Sequence, residues 1–199
     1  MQRVGVLALQ GGYAAHLDSL RKIGLDACEV RNAEDLDSLD GLILPGGEST
    51  THLKLIHRFD LEASLHAFVA SGRPVFATCA GMILSAKRVT HPEQASFGWL
   101  DIDVERNGWG RQLDSFEAFA DGTDLPLCFI RAPRITRVGP GVEVLATFQG
   151  EPVMLRQGNV TAATFHPEMT DDVRVHATVF ASSGSRPIIV FPSQHSESA

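Results

Sequence analysis

Cysteine is scarce in this chain, with three in 199 residues, and Cys28, Cys79 and Cys128 form an odd set whose spacings match no zinc pattern. A disulfide framework is therefore not expected, and a reducing, cytoplasmic setting is. Dense runs of Lys and Arg are missing as well. With a net charge of −7 and a pI near 5.6, neither nucleic acid nor an anionic membrane is expected as the main partner. No apolar run is long enough to span a bilayer. The short apolar stretch up to Leu9 is too brief for a signal peptide. Internal repeats are absent, and the one low-complexity stretch is the polar tail Ser193 to Ala199, which is expected to fray. What these absences leave is a soluble small-molecule role. At 44% hydrophobic content the chain can bury one sizeable core, so residues 1–192 read as a single domain.

Apolar runs alternate with helix-like stretches. Val4 to Leu9 reads as a buried strand, Gln10-Gly11-Gly12 as a tight loop, and Tyr13 to Ile23 as a helix with Leu17 and Leu20 on one face. Ala27 to Val30 reads as a second strand, Asn32 as the cap of a short helix, and Gly41 to Leu44 as a third strand closing at Pro45-Gly46-Gly47. Helices are expected over Ser49 to Arg58 and Leu61 to Ser71. Gly72-Arg73-Pro74 stops the second one before the apolar run that ends at Cys79. This rhythm predicts an α/β fold, a three-layer sandwich with a mostly parallel central sheet flanked by helices. Beyond Trp99 the segments shorten: Leu100 to Val104, Leu127 to Ile130, Val142 to Phe148, Pro152 to Arg156 and Val160 to Phe165 are expected to form an antiparallel extension.

In such a sheet ligands bind beyond the carboxyl ends of the strands, so the loops after Leu9, Leu44, Thr78 and Phe165 are the places to look. Cys79 ends an apolar run and is followed by Ala80-Gly81, small residues that allow a sharp strand-to-helix turn with an exposed nucleophile. Taken alone it fits packing equally well, because free cysteines are often buried. His166-Pro167-Glu168 follows another apolar strand and supplies a base with an orienting acceptor, which a cysteine needs to become a thiolate near neutral pH. A lone histidine near a strand end is nevertheless more often a surface or packed residue than a catalyst. His16, His52, His57, His66, His91, His176 and His195 are competitors, most of them expected to be solvated helix residues. Cys28 and Cys128 sit among apolar neighbours and are assigned to packing. Gly46-Gly47 is open between an ordinary turn, a phosphate cradle and a pair of N–H donors to an oxyanion; it lacks the lysine and spacing of nucleotide-binding loops.

Six segments in order carry a resemblance: Leu7-Ala8-Leu9-Gln10-Gly11, Leu44-Pro45-Gly46-Gly47-Glu48-Ser49-Thr50-Thr51, Thr78-Cys79-Ala80-Gly81-Met82, Glu105-Arg106-Asn107-Gly108-Trp109-Gly110-Arg111-Gln112, Phe129-Ile130-Arg131-Ala132-Pro133 and Phe165-His166-Pro167-Glu168. Together they resemble the glutaminase subunits of pyridoxal 5'-phosphate synthase, a branch of the class I glutamine amidotransferases. The resemblance runs from Val4 to about Val179. It implies hydrolysis of L-glutamine to glutamate and ammonia, with Cys79 as nucleophile, His166 as base and Glu168 as its orienting carboxylate. Gly47 and Ala80 are the implied oxyanion donors, with Gln10 nearby. Gly47, Glu48, Ser49, Arg106, Ile130 and Arg131 are the implied glutamine-binding residues. No cofactor and no metal are implied. The implied partner is a barrel-shaped synthase subunit that receives the ammonia and stimulates an otherwise low activity. Two regions depart from the family pattern. Gly12-Tyr13-Ala14-Ala15-His16 stands where an Ala and an Arg-Glu-His run are usual, and Ser182-Ser183-Gly184-Ser185-Arg186-Pro187 breaks the expected last helix, with Ile188 to Pro192 having no counterpart.

Overall fold

The computed structural model of the protein is described over residues 1–108 and 115–181. The motif residues Trp109 to Gln112 and the C-terminal segment from Ser182 onward lie outside the described residues. In chain order the elements are β1 (Arg3–Leu7), α1 (Tyr13–Lys22), β2 (Asp26–Val30), β3 (Gly41–Leu44), α2 (Ser49–Arg58), α3 (Glu62–Ala70), β4 (Val75–Thr78), α4 (Ala80–Ser85), β5 (Ala86–Thr90), β6 (Leu100–Glu105), β7 (Ser115–Phe119), β8 (Pro126–Ile130), β9 (Arg134–Val138), β10 (Glu143–Phe148), β11 (Glu151–Gln157), β12 (Val160–Ala163) and α5 (Arg174–Val179). Two 3-10 turns, Ala33–Leu36 and Pro167–Met169, complete the set. The first begins at Asn32, whose side chain accepts from the Asp35 N–H at 3.2 Å, so the anticipated cap is there.

A seven-stranded sheet in the order β10-β11-β12-β4-β3-β1-β2 forms the centre. Strands β2, β1, β3, β4 and β12 run parallel, and β11 and β10 extend the sheet antiparallel. The side-chain alternation of the strands divides the apolar residues between two cores. Leu42, Leu44, Val75 and Ala77 face a core with Ile56, Leu65, Phe68 and Met82, whereas Ile43 and Phe76 face the opposite one with Leu17, Leu20, Val175 and Val179. The three-layer α/β sandwich expected from the sequence is this arrangement.

The antiparallel extension is formed by β10 and β11, and the other segments expected in it lie elsewhere. Val160–Ala163 belongs to the parallel set through β4 and meets only β11 antiparallel. Leu100–Glu105 pairs parallel with β5 and antiparallel with β9 in a separate three-stranded sheet, and β8 pairs with β7 in a two-stranded ribbon. Strands β5, β7 and β9 escape a sequence reading because they are short and carry Lys87, Arg88, Glu117, Arg134 and Arg137 among their few apolar residues. The apolar run after Cys79 also divides, giving a six-residue helix and then β5.

Chain order explains where a site must lie. The connection from β1 goes out to β2 on one side and returns to β3 on the other, so the strand order reverses beside β1 and leaves a crevice at the carboxyl end of the sheet. The loops after β1, β3, β4 and β12 all open there.

Candidate active site

Cys79 occupies the turn between β4 and α4 with φ 47° and ψ −102°, a backbone conformation that non-glycine residues rarely adopt. The strain is held by the Cys79 N–H bond to Ala163 O at 2.9 Å and by the Ile83 N–H bond to Cys79 O at 3.0 Å. Gly81 allows the turn to close: a Cβ there would lie 2.2 Å from Leu44 O. The cysteine is 5% exposed, and its thiol lies 4.0 Å from the carbonyl of Ile130.

His166 follows β12, its backbone N–H anchored to Cys128 O at 2.8 Å. Its Nδ1 lies 2.7 Å from Glu168 Oε1, and both side chains are almost wholly buried. Burial pulls the imidazole down, but the Cys79 sulfur and the Glu168 carboxylate outweigh it and push His166 up to about 10. Glu168 is itself raised by burial and drawn further down by His16 and His166, so it stays a carboxylate. Nε2 of His166 is buried without an aligned hydrogen bond. Catalytic bonds of this kind are commonly loose until a substrate tightens them. The ring also packs on Gly46, where a Cβ would come within 2.3 Å of His166 Cε1 and 3.4 Å of Cys79 Cβ.

A cleft of about 150 Å³ opens over these groups, lined by Gly47, Glu48, Ser49, Cys79, Ile83, Arg106, Asn107, Ile130, Arg131 and His166. Cys79, His166 and all six residues assigned to substrate binding thus meet in one place, while Glu168 stands behind His166. Asn107 and Ile83 are the additions; both lie inside or next to the quoted motifs, without a chemical signal of their own. Cys79, Asn107 and Arg131 all carry positive φ, 47°, 54° and 43°, so strained backbone gathers around the cleft. Glu48 accepts from the Thr50 and Thr51 N–H groups at the start of α2 and pairs with Arg106 Nη2 at 2.9 Å. Hydrogen bonds from the hydroxyls and N–H groups of Thr50 and Thr51 overcome partial burial and hold Glu48 at about 2. Ser49 is buried, and its hydroxyl donates to Gln94 at 2.8 Å. Ala80 is buried at the start of α4 and does not line the cleft. Gln10 lies over Gly47, at which a Cβ would meet Gln10 Nε2 at 2.7 Å, and donates to Glu48 O at 3.0 Å.

The histidine competitors divide differently from expectation. His16, His52 and His176 are fully buried, not solvated. Each sits on the inward face of its helix, a placement that apolar periodicity alone does not flag for a polar residue. Burial lowers His52 to about 4 and His176 to about 3. The unfolded chain takes up these protons near pH 6.5. Between pH 6.5 and 4 the unfolded state therefore binds more protons, and stability falls as pH falls, by about 1.4 kcal/mol per unit for each histidine. His166, raised, acts in the other window: its contribution is complete below 6.5 and is lost as pH climbs toward 10. Urea denaturation is expected to give a maximum near neutrality and about 4 kcal/mol less stability at pH 5 than at pH 7. Equal midpoints at the two pH values would contradict the buried neutral histidines.

The model of the SNO glutamine amidotransferase family matches residues 6–183. A pyridoxal 5'-phosphate synthase subunit PdxT from Thermotoga maritima is 49% identical over 179 residues, covering 87% of this chain and 95% of its own length. Its namesake from Solibacter usitatus is 52% identical over 187 residues, covering 89% and 97%. A crystal structure of a glutamine amidotransferase superposes with a TM-score of 0.83 at 46% identity, over 88% of this chain and 96% of the other. The structure of PurLQS from Thermotoga maritima shares the fold at a TM-score of 0.63 and 16% identity. With a family model covering nearly its whole described length and relatives near half identity, the chain belongs to the SNO glutamine amidotransferase family.

Proposed function

We propose that the cleft hydrolyses L-glutamine to L-glutamate and ammonia through a Cys79–His166–Glu168 triad and a glutamyl thioester. The observation that carries this reading is the convergence of a strained cysteine and a carboxylate-held histidine in a cleft of amino-acid size that also presents Arg131. Typical pockets for larger ligands run to at least ~300 Å³. His166 faces the sulfur and takes its proton as attack begins. Sulfur attacks the side-chain amide carbon, and the charge on the amide oxygen is taken by the N–H groups of Gly47 and Ala80. As the carbon–nitrogen bond breaks, His166 gives its proton to the leaving amine, and ammonia departs. Water then attacks the thioester with His166 as base, freeing glutamate and leaving one proton between Cys79 and His166, as at the start.

Arg131 and Arg106 receive the α-carboxylate, and Glu48, already paired to Arg106, takes the α-ammonium. Arg131→Met is expected to raise KM for glutamine roughly 10- to 100-fold, the worth of a charge-assisted hydrogen bond, with a much smaller change in kcat. A KM within twofold of wild type would remove Arg131 from the carboxylate site.

The relatives are named as subunits of pyridoxal 5'-phosphate synthase. In keeping with that, the ammonia released here feeds a synthase subunit that builds pyridoxal 5'-phosphate, which is then a product of the complex and not a cofactor of this chain. The test is glutamate release from L-glutamine with and without that subunit, together with peptides and glycated amines as competing substrates. Release stimulated by the synthase supports the reading. Preference for peptides or glycated amines would overturn it.

A further inference from the structure

Behind the triad lies a buried line of side chains that the chemistry above leaves unused. Glu168 gives one oxygen to His166; the other, Oε2, is buried and has no aligned hydrogen bond, and His16 Nε2 of α1 lies 3.3 Å from it. The same His16 nitrogen is 3.1 Å from Thr78 Oγ1, on the residue before the nucleophile. His16 Nδ1 in turn lies 2.9 Å from His176 Nε2 of α5, and both rings pack edge-on against Phe76. His16 and His176 are 0% exposed.

We propose that His16 is a positioning residue for the triad, holding the second oxygen of Glu168 through a line of hydrogen bonds ordered by His176. This rests on the reading of Cys79, His166 and Glu168 as a triad. The order of protons follows from the dead end of the line. His176 Nδ1 is buried without a partner. An unpaired buried N–H is the costlier orphan, so this nitrogen is the bare one and Nε2 carries the hydrogen. That hydrogen points at His16 Nδ1, which must accept it, and His16 is left with its own hydrogen on Nε2, toward Glu168 Oε2 and Thr78 Oγ1. The opposite order would set a lone pair of His16 against a carboxylate oxygen and strand an N–H on His176. Every proton along the line thus faces Glu168, and the carboxylate's free oxygen is held from a third element, α1.

The groups that bear on the protonation of Glu168 are His166 on its own turn, His16 from α1 and, beyond it, His176 from α5, with the Thr78 hydroxyl from β4 alongside. Burial lowers both outer histidines, which favours their neutral forms, and in that form each acts as an oriented dipole. Loss of His16 leaves a buried carboxylate oxygen bare, which raises the proton affinity of Glu168. His166 then loses its acceptor at a higher pH than before.

Two measurements test this. In wild-type protein carrying 15N-labelled histidine, NMR is expected to find His16 and His176 both as neutral Nε2–H tautomers at pH 7.5 and at pH 5.5; an Nδ1–H form of His16 overturns the proposal without need of any variant. His16→Leu, kept apolar and of similar bulk, is expected to lower kcat about 10- to 100-fold, the usual range for residues that orient a functional group, with KM within about twofold. The acidic limb of its pH–rate profile moves upward, and carboxamidomethylation of Cys79 by iodoacetamide at pH 6 slows in parallel. His16→Gln, whose amide N–H reaches the same place, is expected to recover most of the rate. A folded His16→Leu protein with wild-type kcat and an unmoved acidic limb overturns the positioning role, and if Cys79→Ala is inactive in the same assay the triad itself stands. Undiminished glutamate release from Cys79→Ala removes the triad reading instead.

Discussion

Cys79→Ala is expected to lower glutamate release by at least about 10⁴-fold, to the background of the assay, while the protein keeps its fold. The loss is that large because a triad works as a unit, and without its nucleophile neither the thioester nor the ammonia-releasing step exists. The fold survives because the residue's other duties are backbone duties. Its N–H bonds Ala163 and its carbonyl receives the Ile83 N–H, neither of which needs the sulfur. Alanine also keeps the Cβ, so the strain at φ 47° is unchanged. A second variant separates strain from chemistry. Cys79→Gly should be just as inactive yet more stable than Cys79→Ala by about 1 kcal/mol, since glycine adopts such angles without the Cβ penalty. Activity measurements and thermal unfolding on the three proteins check both parts. Glutamate release that persists in the alanine variant sinks the nucleophile, and a glycine variant less stable than the alanine one sinks the strain argument.

The sequence made the parallel half of the fold legible because each buried strand there is a continuous apolar run ending in Gly, Pro or a small residue, as in Gly41–Leu44 before Pro45-Gly46-Gly47. The second half is less legible for a physical reason: β5, β7 and β9 are short and partly solvated, and their registers are set by partners distant in the chain, such as β6 with β9. Of the site, Cys79, His166 and Glu168 were nameable because strand-end chemistry is local. Their assembly rested on the resemblance and not on spacing, because β4 and β12 lie far apart in the chain and are neighbours only through the sheet. The buried histidines were invisible in the same way. His16 and His176 read as polar helix positions until α1 and α5 pack on one face of the sheet, where each becomes the other's partner.

Gly46→Ala tests the placement of the triad without touching any of its members. A methyl group at residue 46 would stand 2.3 Å from His166 Cε1, 2.9 Å from His166 Nδ1 and 3.4 Å from Cys79 Cβ, so the neighbours must move. The imidazole is not the loose end of a flexible chain, since Glu168 holds its Nδ1 at 2.7 Å. Nor does the backbone forbid alanine: the positive-φ residues of this loop include Gly47 but not Gly46. Two responses are open. If the ring swings away, the base leaves the line to Cys79, and kcat falls with KM little changed. If the loop retreats instead, it carries Gly47, Glu48 and Ser49 outward, and KM rises as well. Displacement of about 1 Å at a catalytic group commonly costs about 100-fold, and a loss of that order in kcat/KM is expected on either route. Alkylation of Cys79 distinguishes them, because only a displaced His166 makes the sulfur less reactive at pH 6. A folded Gly46→Ala protein with wild-type kcat/KM would mean that His166 does not act from the position packed against Gly46.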